Sequence, residues 1–224
     1  MSLDLARIRV LCFDLDGTIS DTDDVYVAEL QRWLSPFKFL PESSARRVIT
    51  ALETPGNLFL QFLDYFGIDT ILHRMRSRRA IEPRVPTNLK IIPGAKEAIQ
   101  DLQNHYPITL VSARTVQSVN IFLKYFDLSQ YFQLIVGAET TPRMKPYPDP
   151  LLLVAEQLNV LPEELLMIGD TTVDILAGKA VGAQTIGVLC GFGTQDELEA
   201  AGADIILPSI AHIPVVFSEN SDIT

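Results

Sequence analysis

Six short apolar runs, rich in branched side chains, recur along the chain: Ile8 to Phe13 (IRVLCF), Ile108 to Val111 (ITLV), Leu134 to Val136, Leu165 to Ile168 (LLMI), Thr185 to Leu189 (TIGVL) and Asp204 to Leu207 (DIIL). A strand that is apolar on both faces must be covered on both faces, which is the habit of parallel sheets. From residue 90 onward the runs alternate with stretches of helical period. Residues 94–104 place Ala95, Ala98, Ile99 and Leu102 on one face, and residues 116–126 do the same with Val119, Phe122, Leu123 and Phe126. Residues 150–158 and 172–181 continue the alternation. Strand following helix in this way predicts an α/β fold, a doubly wound parallel sheet with helices on both faces.

Residues 20–88 break the rhythm. They hold no strand-like run, and helical periodicity over 25–34, 43–52, 58–66 and 71–79 is interrupted by Pro36, Pro41, Pro55 and Gly67. The segment is far too long for a loop. It is expected to be an all-helical subdomain inserted after the first strand, in a core made of residues 1–19 and 89–224. Pro83, Pro86 and Pro93 mark a stiff return to that core. The tail from Ser218 is polar and is expected to fray.

Composition narrows the function classes. The formal charge of −10 repels phosphate backbones at long range, so nucleic acid is not an expected partner. No apolar run is long enough to span a membrane, and the N-terminus, with Asp4 early, does not read as a secretion signal. Two cysteines far apart in sequence, Cys12 and Cys190, make no disulfide framework, and a reducing cytoplasm is the expected location.

Open α/β sheets bind ligands beyond the carboxyl ends of their strands. Asp14, Asp16, Gly17 and Thr18 (DLDGT) follow the first run, and Ser112 follows the second. Lys145 comes a few residues after the third, and Asp170 and Asp174 (GDTTVD) follow the fourth. Carboxylates gathered in one place raise the cost of ionising one another. A hard divalent cation with oxygen ligands offsets that cost, and Mg²⁺ is the abundant choice.

These motifs, in this order and spacing, resemble the haloacid dehalogenase superfamily in its phosphatase branch. The stretches KPYPDPLLLVAEQL at 145–158 and DILAGKAVGAQTIGV at 174–188 share the likeness. So does the helical insert, which matches the family's cap. The resemblance implies a small phosphorylated metabolite as substrate and a role for each residue. Asp14 would be the nucleophile that forms an aspartyl-phosphate. Asp16 would be the general acid and then the base. Mg²⁺ would be held by Asp14, the backbone carbonyl of Asp16 and Asp170, with Asp174 supporting its water shell. Ser112 and the N–H of Ala113 would hold phosphoryl oxygens, and Lys145 would neutralise charge on Asp14 and the phosphate. These are the parts phosphoryl transfer needs. Hydrolytic dehalogenation, also known in the superfamily, needs neither the second aspartate nor the metal.

Taken singly, each residue also has an ordinary reading: a helix cap for Asp14 or Ser112, a solvated loop for Lys145, a strand-to-helix turn for Gly169–Asp170. Arg114 is a candidate substrate contact. The insert's basic cluster, Arg74, Arg76, Arg78, Arg79 and Arg84, suits either a substrate anion or a solvated helix face. The Ser112–Ala113 pair and the KPxPD form at 145–149 resemble the family's phosphosugar mutases of β-phosphoglucomutase type. The Gly169–Asp170 form resembles its phosphoglycolate phosphatases. A phosphatase is therefore the first expectation and a mutase the second, with a non-catalytic binding protein on the same scaffold third.

Overall fold

A computed structural model describes residues 3–21 and 89–218. The chain divides into two units, 1–22 with 89–224 and 23–88, and all described residues belong to the first. The expected helical insert, including Arg74, Arg76, Arg78, Arg79 and Arg84, lies outside the described residues except for Ser20 and Asp21.

Six parallel strands form one sheet: β1 (Val10–Phe13), β2 (Ile108–Val111), β3 (Phe132–Val136), β4 (Leu165–Gly169), β5 (Gln184–Val188) and β6 (Ile205–Leu207), in the order β3-β2-β1-β4-β5-β6. The described helices are α1 (Ala95–Leu102), α2 (Val116–Tyr125), α3 (Asp149–Leu158), α4 (Thr172–Ala180), α5 (Gln195–Ala201) and α6 (Ile213–Ser218). Each of the six apolar runs contributes a strand, as expected of a doubly wound parallel sheet.

The two-sided apolar character of the strands is used on both faces. Within β1, Leu11 and Phe13 join a cluster with Ala98, Ile99 and Leu102 of α1 and Val119, Phe122 and Leu123 of α2. Val10 and Cys12 point the other way, among Leu151, Val154 and Ala155 of α3 and Ala177 of α4. Burial pushes the Cys12 thiol up to about 12, so it is inert packing.

Two elements escaped the periodicity reading. Helix α5 buries Leu198 alone and has almost no apolar stripe, but Thr194 and Glu197 close a capping box at its start. Helix α6 adds Ile213 to the first cluster. A further staple holds the β5–β6 edge: Asp204 accepts from Lys179 Nζ (2.5 Å) and from Thr185 N (2.8 Å). Burial works against the ionised Asp204, but these partners outweigh it and hold its carboxyl below the ordinary value.

The strand order reverses between β1 and its neighbours β2 and β4, and the crevice at such a switch point is where doubly wound sheets place their ligands. The register there is fixed by Phe13, which lies opposite both Leu110 and Ile168. The residues that follow on β1, β2 and β4 therefore emerge side by side. The entry to the insert is tied to its exit, because Ser20 bridges both Asp16 and Ile91, and Asp21 N–H donates to Lys90 O (3.1 Å).

Candidate active site

Asp14 leaves β1 with its backbone N–H still bonded to Ile168 O (2.8 Å), so the strand pairing itself aims its side chain into the crevice. Asp170 sits one residue beyond β4, and Asp174 lies in the first turn of α4. One carboxylate oxygen from each of Asp14, Asp170 and Asp174 lies within 4.8 Å of the others. All three residues are buried, at 7%, 0% and 1% exposure.

Lys145 comes from the β3–α3 loop and joins them, donating from Nζ to Asp14 Oδ1 (2.6 Å) and to Asp174 Oδ1 (2.5 Å). Its loop is braced on either side. The Arg143 guanidinium pairs with Asp149 (3.0 Å) and lies over the Tyr147 ring, 4.6 Å from its centroid. Asp174 also accepts from the Thr171 hydroxyl (2.7 Å) and N–H (3.1 Å), which fixes its rotamer at the helix start.

Asp170 is held by the chain around it. Thr18 Oγ1 donates to its Oδ1 (3.2 Å), Phe192 N–H to its Oδ2 (2.9 Å), and Gly193 N–H to its carbonyl (3.1 Å). Two glycines make room for that close wrapping. A Cβ on Gly17, which has φ +79°, would sit 2.1 Å from Asp170 Oδ2, and one on Gly191 would sit equally close. This 191–193 loop was not foreseen from the sequence, because its contribution is backbone N–H groups and small size rather than reactive side chains. The pattern Gly-Phe-Gly just beyond the β5 run was the available signal.

Asp16 and Arg114 form the second feature that the motifs did not disclose. Arg114 Nε donates to Asp16 Oδ2 (2.7 Å), and its Nη2 donates to Asp16 Oδ1, so the guanidinium fork takes both oxygens. Arg114 is itself anchored: its N–H donates to Ser112 Oγ (3.1 Å), and its carbonyl accepts from Ala138 N–H (2.8 Å). Ser112 is buried beyond β2, and Ala113 is exposed in the bend that follows.

The electrostatics are unbalanced. Burial pushes the Asp14 carboxyl up to about 7; Lys145 opposes this, while Asp174 and Asp16 add to it. Burial likewise drives Asp170 well above the ordinary carboxylate range, with Asp14 and Asp174 reinforcing it. Burial alone would lower Lys145, but Asp14 and Asp174 outweigh it and hold the ammonium above its usual value. One ammonium thus faces several buried carboxylates and cannot keep all of them ionised. With every carboxylate charged, Asp14, Asp16, Asp170, Asp174, Lys145 and Arg114 carry a net charge of −2, the charge one divalent cation cancels.

The imbalance predicts a pH effect on stability. A carboxyl raised from 3.8 to about 7 keeps its proton in the folded chain over a range where the unfolded chain has lost it. Stability is therefore lost as pH rises from about 4 to about 7, by a few kcal/mol. In chelator, this group should lower the melting temperature across that window by roughly 5 °C or more. Millimolar Mg²⁺ should restore most of the loss at pH 8 and little at pH 5. Differential scanning calorimetry at the two pH values checks this, and equal shifts at both would contradict it.

A doubly wound parallel sheet that gathers three buried aspartates and a bridging lysine at its switch point places the chain among α/β proteins with an acidic strand-end site. The family model for haloacid dehalogenase-like hydrolases matches residues 11–188, and the chain belongs to that family. Among curated relatives, the phosphoglycolate phosphatase of Escherichia coli K12 is 27% identical over 91% of this chain and 90% of its own length. That of Pectobacterium atrosepticum is 27% identical over 97% and 96%. Among solved structures, a proposed haloacid dehalogenase-like hydrolase of Bacteroides fragilis aligns with TM-score 0.71 at 25% identity, over 92% of this chain and 99% of its own. A proposed β-phosphoglucomutase of Thermotoga maritima aligns with TM-score 0.68 at 25% identity, over 95% and 99%. The expected family and its hydrolase class stand, and the likeness to phosphoglycolate phosphatases supports the expected subfamily and the phosphomonoester hydrolase expectation. Among the described residues no helix is long and apolar enough to cross a membrane.

Proposed function

We propose that the chain is a Mg²⁺-dependent phosphatase that hydrolyses a small phosphorylated metabolite of phosphoglycolate type through an aspartyl-phosphate. The observation that carries this reading is the buried cluster of Asp14, Asp170 and Asp174 joined by Lys145. Its donor set is all oxygen and its charge is uncompensated, which fits a hard divalent cation. Asp14, Asp170 and the carbonyl of Asp16 would hold the ion, with Asp174 beside them. When bound, it would neutralise charge on the phosphoryl oxygens.

In the first half reaction an Asp14 carboxylate oxygen bonds to phosphorus and the bond to the ester oxygen breaks. Asp16 supplies the proton that the departing oxygen needs. In the second half Asp16 takes a proton from a water whose oxygen bonds to phosphorus, and the bond to Asp14 breaks, releasing phosphate. Lys145 holds Asp14 in one rotamer and faces the incoming charge. Ser112 Oγ and Ala113 N–H hold phosphoryl oxygens. Two free cysteines, Cys12 and Cys190, suit a reducing, cytoplasmic setting.

The likeness to the proposed mutase from Thermotoga maritima and the Ser112–Ala113 pair favour a second reading, a phosphosugar mutase. A panel of phosphorylated metabolites with Mg²⁺ tests both. Release of inorganic phosphate, fastest from a two- or three-carbon phosphoester acid, supports the first reading. Isomerised hexose phosphate, formed only with a catalytic bisphosphate, would replace it with the second.

A further inference from the structure

In the first half reaction Asp16 must deliver a proton. In the second it must accept one from water. The geometry around it suits the second task. Both of its oxygens accept from the Arg114 fork, which holds the side chain in one orientation. The pair is largely shielded, with side-chain exposures of 18% for Arg114 and 19% for Asp16. Asp16 is also kept out of the buried group whose oxygens lie within 4.8 Å, which comprises Asp14, Asp170 and Asp174.

The fork starts from an anchored backbone. Its N–H is bonded to Ser112 Oγ and its carbonyl receives Ala138 N–H. Arg114 thus links the β2 loop, where a phosphoryl group would sit against Ser112 and Ala113, to the proton-transfer residue on the β1 loop. A planar fork specifies the orientation of a carboxylate in a way that a single ammonium does not.

We propose that Arg114 is a positioning residue that holds Asp16 as the base for hydrolysis of the aspartyl-phosphate, acting on the water step rather than on substrate binding. This rests on the phosphatase reading above. p-Nitrophenyl phosphate isolates the step, because its leaving group departs as a stable anion and needs no proton from Asp16.

In stopped flow, Arg114→Ala should release one equivalent of nitrophenolate per enzyme in a burst about as fast as the wild-type first turnover. A steady state roughly 10- to 100-fold slower should follow. In steady state, kcat and KM should fall together and kcat/KM should hold within about threefold of wild type. Asp16→Asn should show the same burst, and the double variant should be no slower than Asp16→Asn, since both changes remove one device.

A loss of burst rate in step with the steady state would overturn the assignment. A raised KM at unchanged kcat would do so too, by making Arg114 a substrate contact. An additive loss in the double variant would also overturn it. If Arg114→Ala does not accumulate as folded protein, Arg114→Lys carries the same test. Its single ammonium cannot hold both oxygens, so the same burst and slow phase are expected with a smaller ratio; parallel losses would refute the proposal. Asp14→Asn separates this inference from the reading beneath it: turnover persisting in that variant removes the aspartyl-phosphate itself, whereas an inactive Asp14→Asn beside a burst-free Arg114→Ala removes only the role of Arg114.

Discussion

Asp14→Asn is expected to abolish turnover of every phosphate ester, by about 10⁴-fold or more, while leaving the protein as stable as before or more so. The two halves of this expectation come from one feature. In the proposed mechanism the Asp14 carboxylate is the reacting group, and the amide that replaces it is a far weaker nucleophile. The same carboxylate is buried in company that disfavours its charge, since its carboxyl is pushed up to about 7 by burial and by neighbouring aspartates, against the pull of Lys145. Asparagine keeps the shape and discards the charge. Lys145 retains Asp174 as a partner (2.5 Å), so the substitution strands no buried cation. The gain in melting temperature should be full in chelator at pH 8, smaller at pH 5, where the folded wild-type carboxyl is still largely protonated, and absent below about pH 4. A p-nitrophenyl phosphate assay beside a thermal melt reads both. An inactive variant that melts well below wild type would mean that Asp14 serves the fold rather than the chemistry.

How much of this was legible in the sequence depends on the kind of force involved. The first strand was legible because Leu11 and Phe13 face one helical layer while Val10 and Cys12 face the other, which leaves no polar position from Val10 to Phe13. Asp14, Lys145, Asp170 and Asp174 were legible as a set because a parallel sheet brings its strand ends together whatever the details of the loops. The site residues that escaped depend on those details. The pairing of Asp16 with Arg114 is a matter of two rotamers on two loops separated by 98 positions. No spacing rule encodes it, and Arg114 read from sequence alone as a candidate for the substrate. The grip on Asp170 by Phe192 N–H and Gly193 N–H uses groups that every residue carries, so a search for reactive side chains passes over it. Helix α5 was missed for a related reason. Its stabilising feature is the Thr194–Glu197 cap, and periodicity registers only its single buried Leu198.

Lys145→Met is expected to have the opposite profile from Asp14→Asn, losing both activity and stability. Methionine matches much of the lysine stem's volume, so packing is conserved and the charge is the variable. Its removal leaves Asp14 and Asp174 facing each other with no ammonium between them, in positions where both are buried. Breaking a buried ion pair from one side costs about 3–5 kcal/mol, because the partner's desolvation is no longer offset. In a chain of this length that lowers the melting temperature by roughly 10 °C. The loss should deepen as pH rises, since protonation is the remaining route by which Asp14 can escape its charge. It should shrink in excess Mg²⁺, because a divalent cation in the cluster supplies part of what the ammonium supplied. Turnover should still fall at least 10²-fold at saturating Mg²⁺, as the ammonium that braces the Asp14 rotamer and shares the incoming phosphoryl charge is gone. The decisive variant is Lys145→Met with Asp14→Asn. Removing the carboxylate that the lysine compensated should return a large part of the lost melting temperature while activity stays abolished. If the double variant is instead as unstable as Lys145→Met alone, Lys145 supports the β3–α3 loop by packing, and the charge coupling that links stability to catalysis here is absent.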